Sequence, residues 1–144
     1  MLPPEELLYF GKPVPEAAQA DILFVGSWTD KGTCSSEIET FLKSLEGKQV
    51  YIFGTAGFGG DPSYFSGIGE RMAENLPDSN TLLGYYLCQG KMPAAVRSRY
   101  EAMAKTDPQK AKPMLDNFDR ALSHPDQQDL RGLEKEISAL LKRI

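Results

Sequence analysis

Two stretches rich in glycine and hydroxyl residues hold the residue types able to grip a flat ligand. Gly26-Ser27-Trp28-Thr29-Asp30-Lys31-Gly32-Thr33 follows the apolar run Ile22-Leu23-Phe24-Val25. Gly54-Thr55-Ala56-Gly57-Phe58-Gly59-Gly60-Asp61 follows Val50-Tyr51-Ile52-Phe53. Glycine lets the backbone approach a ligand closely, hydroxyls and amides supply hydrogen bonds, and Trp28 or Phe58 offers an aromatic face. In a parallel α/β sheet such loops stand at the carboxyl edge of the strands, where ligands bind. The pairing predicts a planar ligand held between Ser27, Trp28, Thr29 and Gly32 on one side and Thr55, Ala56, Gly57, Phe58 and Gly59 on the other.

Other chemistries are poorly supplied. The only histidine, His124, lies in Ser123-His124-Pro125 and reads as a turn or helix-end residue, so there is no hydrolytic triad. Cys34 and Cys88 form neither a CxxC pair nor a metal-ligand cluster. Cys88 ends an apolar run and reads as a small buried thiol, while Cys34 is expected to be exposed or close to a ligand. Tyr64, Tyr85 and Tyr86 are the available proton donors, with no constellation around them.

The elements that must position these residues can be read from periodicity. Glu6 to Phe10 is a short strand candidate closed by Gly11, Pro13 and Pro15, and Ile22 to Val25 reads as a strand covered on both faces. Ser36-Glu37-Ile38-Glu39 reads as a capping box, with Ile38, Phe41, Leu42 and Leu45 at helical spacing and Gly47 as the stop. A strand over Gln49 to Phe53 leads to a helix opened by Asp61-Pro62, with Phe65, Ile68, Met72 and Leu76 inward. Thr81 to Gln89 is a longer strand. The last third is helical, with Pro93 to Lys105 presenting Val96, Tyr100 and Met103, and Pro113 to Leu122 presenting Leu115, Phe118 and Leu122. Asp126 to Ile144 presents Leu130, Leu133, Ile137, Leu140, Leu141 and Ile144. This alternation is a doubly wound α/β pattern.

With 144 residues, 41% hydrophobic and 25% charged, the chain reads as one domain over 1–144 with a sizeable core. A net charge of −4 argues against a nucleic-acid partner and suits docking on a basic protein patch. No apolar run approaches a membrane span and the first residues lack signal-peptide character, so no membrane partner and a cytoplasmic location are expected.

On these residues the chain resembles the flavodoxin family, whose five parallel strands run in the order 2-1-3-4-5 with FMN at the carboxyl edge. Asp21 to Thr33 is similar to the family's third strand and the loop carrying an aromatic that stacks on the flavin. Val50 to Tyr64 is similar to the segment that wraps the flavin's pyrimidine edge. The resemblance covers about Leu7 to Gly90 and the closing helix. Asn117-Phe118-Asp119 to Asp129 looks like the tail of a bacterial flavodoxin-like subgroup, some members of which accompany bilirubin-reducing enzymes.

The family's opening strand and its Ser/Thr-x-Thr-Gly-Asn-Thr phosphate loop have no counterpart here. The expectation is therefore an α/β flavodoxin-like three-layer sandwich with a parallel sheet, incomplete at the N-terminus, and a helical C-terminal third. Truncation of a longer protein is the leading explanation, with a rearranged sheet or an exchanged strand as the others. The resemblance implies an electron carrier that uses FMN and meets a redox partner protein, with acidic surroundings lowering the flavin's potential. Alternatives are a cofactor-free interaction domain or fragment and an accessory to an FMN-dependent small-molecule reductase. An exposed sheet edge leaves a homo-oligomer open.

Overall fold

A computed structural model describes residues 2–59 and 61–144; Met1 and Gly60, the latter within the second glycine-rich stretch, lie outside the described residues. The elements are β1 (Ile22–Asp30), β2 (Thr33–Cys34), α1 (Ser36–Lys43), β3 (Gln49–Ala56), α2 (Pro62–Ala73), β4 (Thr81–Gln89), α3 (Ala94–Ala104), α4 (Pro108–Ala121) and α5 (Gln127–Leu141). β1, β3 and β4 pair in parallel, and the two-residue β2 folds back antiparallel on Thr29 and Asp30, giving the order β2-β1-β3-β4. This is an α/β fold with a mostly parallel open sheet, consistent with the flavodoxin-like architecture. Along Ile22–Trp28 the outer edge of β1 pairs with no strand among the described residues.

Each face of the sheet has its own core, because alternate side chains of a strand point to opposite sides. Leu23, Val25, Val50, Ile52 and Leu87 meet Ile38 and Leu42 of α1 and Ile68 and Met72 of α2. Tyr51, with Phe24, Phe53, Leu83 and Tyr86, meets Ile137, Leu140 and Leu133 of α5. Both crossover helices therefore cover one face and α5 covers the other. The expected inner positions of α1 and α2 hold. In α5, Leu133, Ile137, Leu140 and Leu141 face the sheet, whereas Leu130 near its start and Ile144 beyond its end are exposed.

Several sequence expectations are corrected. Residues 6–10 form no strand: Pro4–Glu6 is a single 3-10 turn and Phe10 is 90% exposed, with no sheet edge or core to cover it. Tyr9 instead donates its hydroxyl proton to the Lys12 carbonyl at 2.9 Å, closing a local turn. The cap of α1 is Ser35, not Ser36; its extended backbone lets Oγ accept from the Ile38 amide. The helix ends at Lys43, before Gly47, whose φ of +66° serves the following turn. α4 begins at Pro108 and carries Pro113 inside it, and buries Ala111, Asn117, Phe118 and Ala121 while Leu122 stays exposed. Its cap, Asp107, accepts from the Lys110 amide at 3.1 Å and starts the helix well before Pro113. α3 and α4 form a hairpin in which the Arg97 guanidinium lies 5.5 Å over the Phe118 ring. No helix among the described residues is long and apolar enough to cross a membrane.

Candidate functional site

Both glycine-rich stretches begin inside strands rather than after them. β1 runs through Asp30 and β3 through Ala56, in register as Ser27 with Gly54 and Trp28 with Thr55. Gly54 is required there, since a Cβ would sit 2.2 Å from the Ser27 carbonyl oxygen. Beyond the register, Thr29 donates its hydroxyl proton to the Thr55 carbonyl at 2.8 Å and ties the strand ends together. Lys31 and Gly32, with φ of +51° and +83°, make the tight turn into β2, and the Arg71 side chain of α2 donates to the Gly32 carbonyl at 2.7 Å.

A cavity of about 440 Å³ opens at this carboxyl end of the sheet. Its floor is the α5 side of the strands, with Gly26, Trp28, Phe53, Thr55, Tyr86 and Cys88. Asp129, Leu130 and Leu133 of α5 form one wall, and Ser35, Glu37 and Ile38 of α1 border it beyond the edge of β1. Trp28 is 59% exposed, so its ring offers a face to whatever enters. The volume falls within the range of small-molecule sites, roughly 300–1,000 Å³.

The cavity brings together Ser27, Trp28 and Thr55 of the sequence-predicted residues. Thr29, Gly32, Ala56, Gly57, Phe58 and Gly59 lie outside its wall. Ala56 is buried on the opposite face of the sheet, under α1 and α2. Phe58 packs edge-on against Tyr64, ring centroids 6.1 Å apart. The Gly57 carbonyl accepts from Gln89 Nε2 at 3.1 Å and from Asn117 Nδ2 at 3.0 Å, while Gln89 Nε2 also donates to Asn117 Oδ1 at 3.1 Å. A Cβ on Gly57 would meet Met92 Sδ at 2.5 Å, and one on Gly59 would meet the Gln89 amide. The second loop is thus locked against the end of β4 and against α4, a long-range network that periodicity does not reveal.

Sequence reading also passed over the group at the start of α5. Asp126 and Asp129 cap the helix reciprocally, with amide-to-carboxylate bonds of 2.9 and 2.8 Å. Asp129 Oδ2 also meets His124 Nδ1 at 2.6 Å. The signal was present as an aspartate pair three residues apart before an apolar stripe, but only folding sets it at a cavity wall. Tyr86 donates to the Asp129 carbonyl at 2.9 Å, tying that wall to β4.

The thiols do not offer a nucleophile. Burial pushes Cys88 up to about 11, with the charges of Asp129 and Asp126 adding to it, so it is a thiol at neutral pH. Cys34, expected near the surface or a ligand, is buried between sheet and helices, and burial raises its pKa as well. Burial likewise raises Tyr86. The arrangement can hold and orient a ligand.

Known proteins share this pattern. The family model for the flavodoxin domain matches residues 6–138. A protein of Clostridium symbiosum (strain WAL-14163) called "Flavodoxin-like domain-containing protein BilS" is 40% identical over 146 residues, covering 90% of this chain and 76% of the relative. A protein of the same name from Clostridioides difficile (strain CD3) is 34% identical over 112 residues, covering 76% of this chain and 64% of the relative, so the chain spans less than two thirds of that protein. With the fold, the strand-end geometry and the family match in agreement, the chain belongs to the flavodoxin domain family.

Proposed function

We propose that this protein carries electrons by way of a flavin whose isoalloxazine ring lies in the cavity at the carboxyl end of β1 and β3, and that it exchanges them with a redox partner protein. The observation that supports this reading most is Trp28, an exposed aromatic in the wall of an otherwise apolar cavity of about 440 Å³. A stacked ring gains dispersion and quadrupole contacts from Trp28, and Phe53, Tyr86, Leu130 and Leu133 would exclude water from it. The flavin, when bound, supplies the electron-transfer chemistry. The chain's part is to fix the ring: the Thr29–Thr55 bond and the close approach of Gly54 to Ser27 hold the two strand ends rigid beneath it. Glu37 and Asp129 are among the lining residues, and negative charge beside a bound ring would disfavour added negative charge on its reduced form.

FMN, the flavin of the family, fits this site in part. Its ring finds an aromatic face and an apolar surround, whereas its phosphate finds no cationic side chain among the described residues that line the cavity. An acidic chain with a net charge of −4 favours a partner with a basic docking patch. The resemblance of residues 117–129 to the subgroup accompanying bilirubin-reducing enzymes favours an enzyme of that kind.

Titration of the purified chain with a flavin, followed by quenching of flavin fluorescence and by retention of the visible band through gel filtration, tests the reading. Quenching that Trp28→Ala weakens about tenfold and Trp28→Phe largely restores is the expected result. A chain that stays colourless and quenches nothing would overturn it in favour of a cofactor-free interaction domain.

A further inference from the structure

We propose that the α3–α4 hairpin is a docking arm that takes an acidic patch of the redox partner protein. This rests on the electron-carrier reading above and adds an acidic region to the basic one that the partner presents. Charge is unevenly spread along the chain. Residues 1–90 hold twelve Asp or Glu against five Lys or Arg, whereas residues 91–122 hold seven Lys or Arg against four Asp or Glu. The acids of the hairpin are already engaged. Glu101 and Asp119 both pair with Arg97, Asp116 pairs with Lys112 at 3.1 Å, and Asp107 caps α4 through the Lys110 amide. Such exposed pairs add little stability, but they cancel charge within the hairpin. Lys91, Arg99, Lys105, Lys110 and Arg120 are left exposed, with no ion pair among the described residues.

These cations run from the root of the hairpin, at Lys91 and Arg120, to its tip, where Lys105 ends α3 and Lys110 lies in the first turn of α4. The root stands beside the cavity. The Lys91 amide donates to the His124 carbonyl at 3.0 Å, and the His124 ring meets Asp129 of the cavity wall. On the other helix Asn117 holds the Gly57 carbonyl of the second loop. A basic arm is thus anchored to an acidic body at the end of the sheet where the cavity opens. A folded partner can turn acidic groups to the arm and basic ones to the body, and that pairing orients it over the cavity as well as drawing it in. A polyanion such as RNA has no such choice, because it carries the same charge to the acidic body.

The test is a titration of the full chain against a fluorescein-labelled decaglutamate peptide, read by anisotropy at low ionic strength. Arg99→Glu/Lys105→Glu/Lys110→Glu reverses three cations of the arm, and Lys135→Glu/Lys142→Glu/Arg143→Glu makes the same change of net charge on and just beyond α5. The arm variant is expected to bind the peptide at least tenfold more weakly than the native chain, and the α5 variant within about twofold of it, with binding fading at about 0.15 M salt. Equal weakening in both variants reduces the effect to net charge and overturns the proposal, as does a native chain that ignores the peptide. Tighter binding of decauridylate than of decaglutamate overturns it in favour of RNA. Self-association of the native chain in sedimentation, lost in the arm variant, overturns it in favour of a second copy. Flavin titration of the same proteins separates the two readings: a native chain that binds the peptide but no flavin overturns the electron-carrier reading and leaves the arm standing.

Discussion

Tyr86 on β4 reaches the backbone of Asp129 on α5, its hydroxyl donating to the carbonyl at 2.9 Å beneath the cavity. Gly132, one helical turn on, makes room for it: a Cβ there would lie 2.3 Å from the Tyr86 hydroxyl oxygen. One residue supplies the bond and the other the space, so their substitutions are coupled. Tyr86→Phe is expected to cost about 1 kcal/mol, the usual net value of such a hydrogen bond. Gly132→Ala is expected to destabilise despite alanine's better helix propensity, and to cost less in the Tyr86→Phe background. A double-mutant cycle by chemical denaturation measures this, and strict additivity would refute it.

The Asn117 side chain, buried on α4, holds the Gly57 carbonyl and the Gln89 amide. Asn117→Ala removes both bonds and leaves part of that polar network without a partner. A loss of about 2 kcal/mol is expected, together with faster amide exchange at residues 57–59. Exchange that stays unchanged at those residues would show that the loop is held by other contacts.

Tyr51 is buried against α5, and among the described residues its hydroxyl is the one buried side-chain polar group without a hydrogen-bond partner. Burial pushes it up to about 12, with the charges of Glu136 and Tyr86 adding. A folded pKa above the unfolded value of 10 means that its contribution to stability is complete below pH 10 and lost as pH rises through about 12. Tyr51→Phe is expected to raise stability by about 1 kcal/mol at neutral pH, since it removes an unpaired buried hydroxyl. It should also flatten the alkaline loss, as read by denaturant midpoints between neutral and high pH.

At the acid end two helix caps contribute. The Asp129 amide holds the Asp126 carboxyl below its ordinary value of 3.8, and the Ser63 hydroxyl and amide do the same for Asp61. Folded pKa values below the unfolded ones give stability that is present above the unfolded value and lost as pH falls through the folded one. Unfolding midpoints should therefore drop as pH is lowered below about 4. Asp126→Asn, which keeps an accepting oxygen but no titrating group, should reduce that drop.

Much of the fold was legible in the sequence because it follows from local periodicity. Thr81 to Gln89 was read at its observed bounds, and the inward stripe of Ile38, Phe41, Leu42 and Leu45 followed from 3.6-residue spacing. Asp61-Pro62 was a start signal whose chemistry acts within one turn. Glu6 to Phe10 failed for the converse reason. An apolar run becomes a strand only where a sheet edge receives it, and none does.

The site was legible only in part. Sequence alone determined that Ser27, Trp28 and Thr55 stand near the ends of adjacent apolar strands, because strand length and the glycines that follow are local properties. The tertiary structure decided which of the candidate residues share a cavity. The β1–β3 register put Trp28 beside Thr55, while the network of Gln89, Gly57 and Asn117 turned the second loop against α4 instead. It also decided the cavity's charge, by bringing Glu37 and Asp129 to its wall from helices far apart in sequence. Hydrogen bonds and charge proximity between residues so distant along the chain depend on packing, which no spacing rule contains.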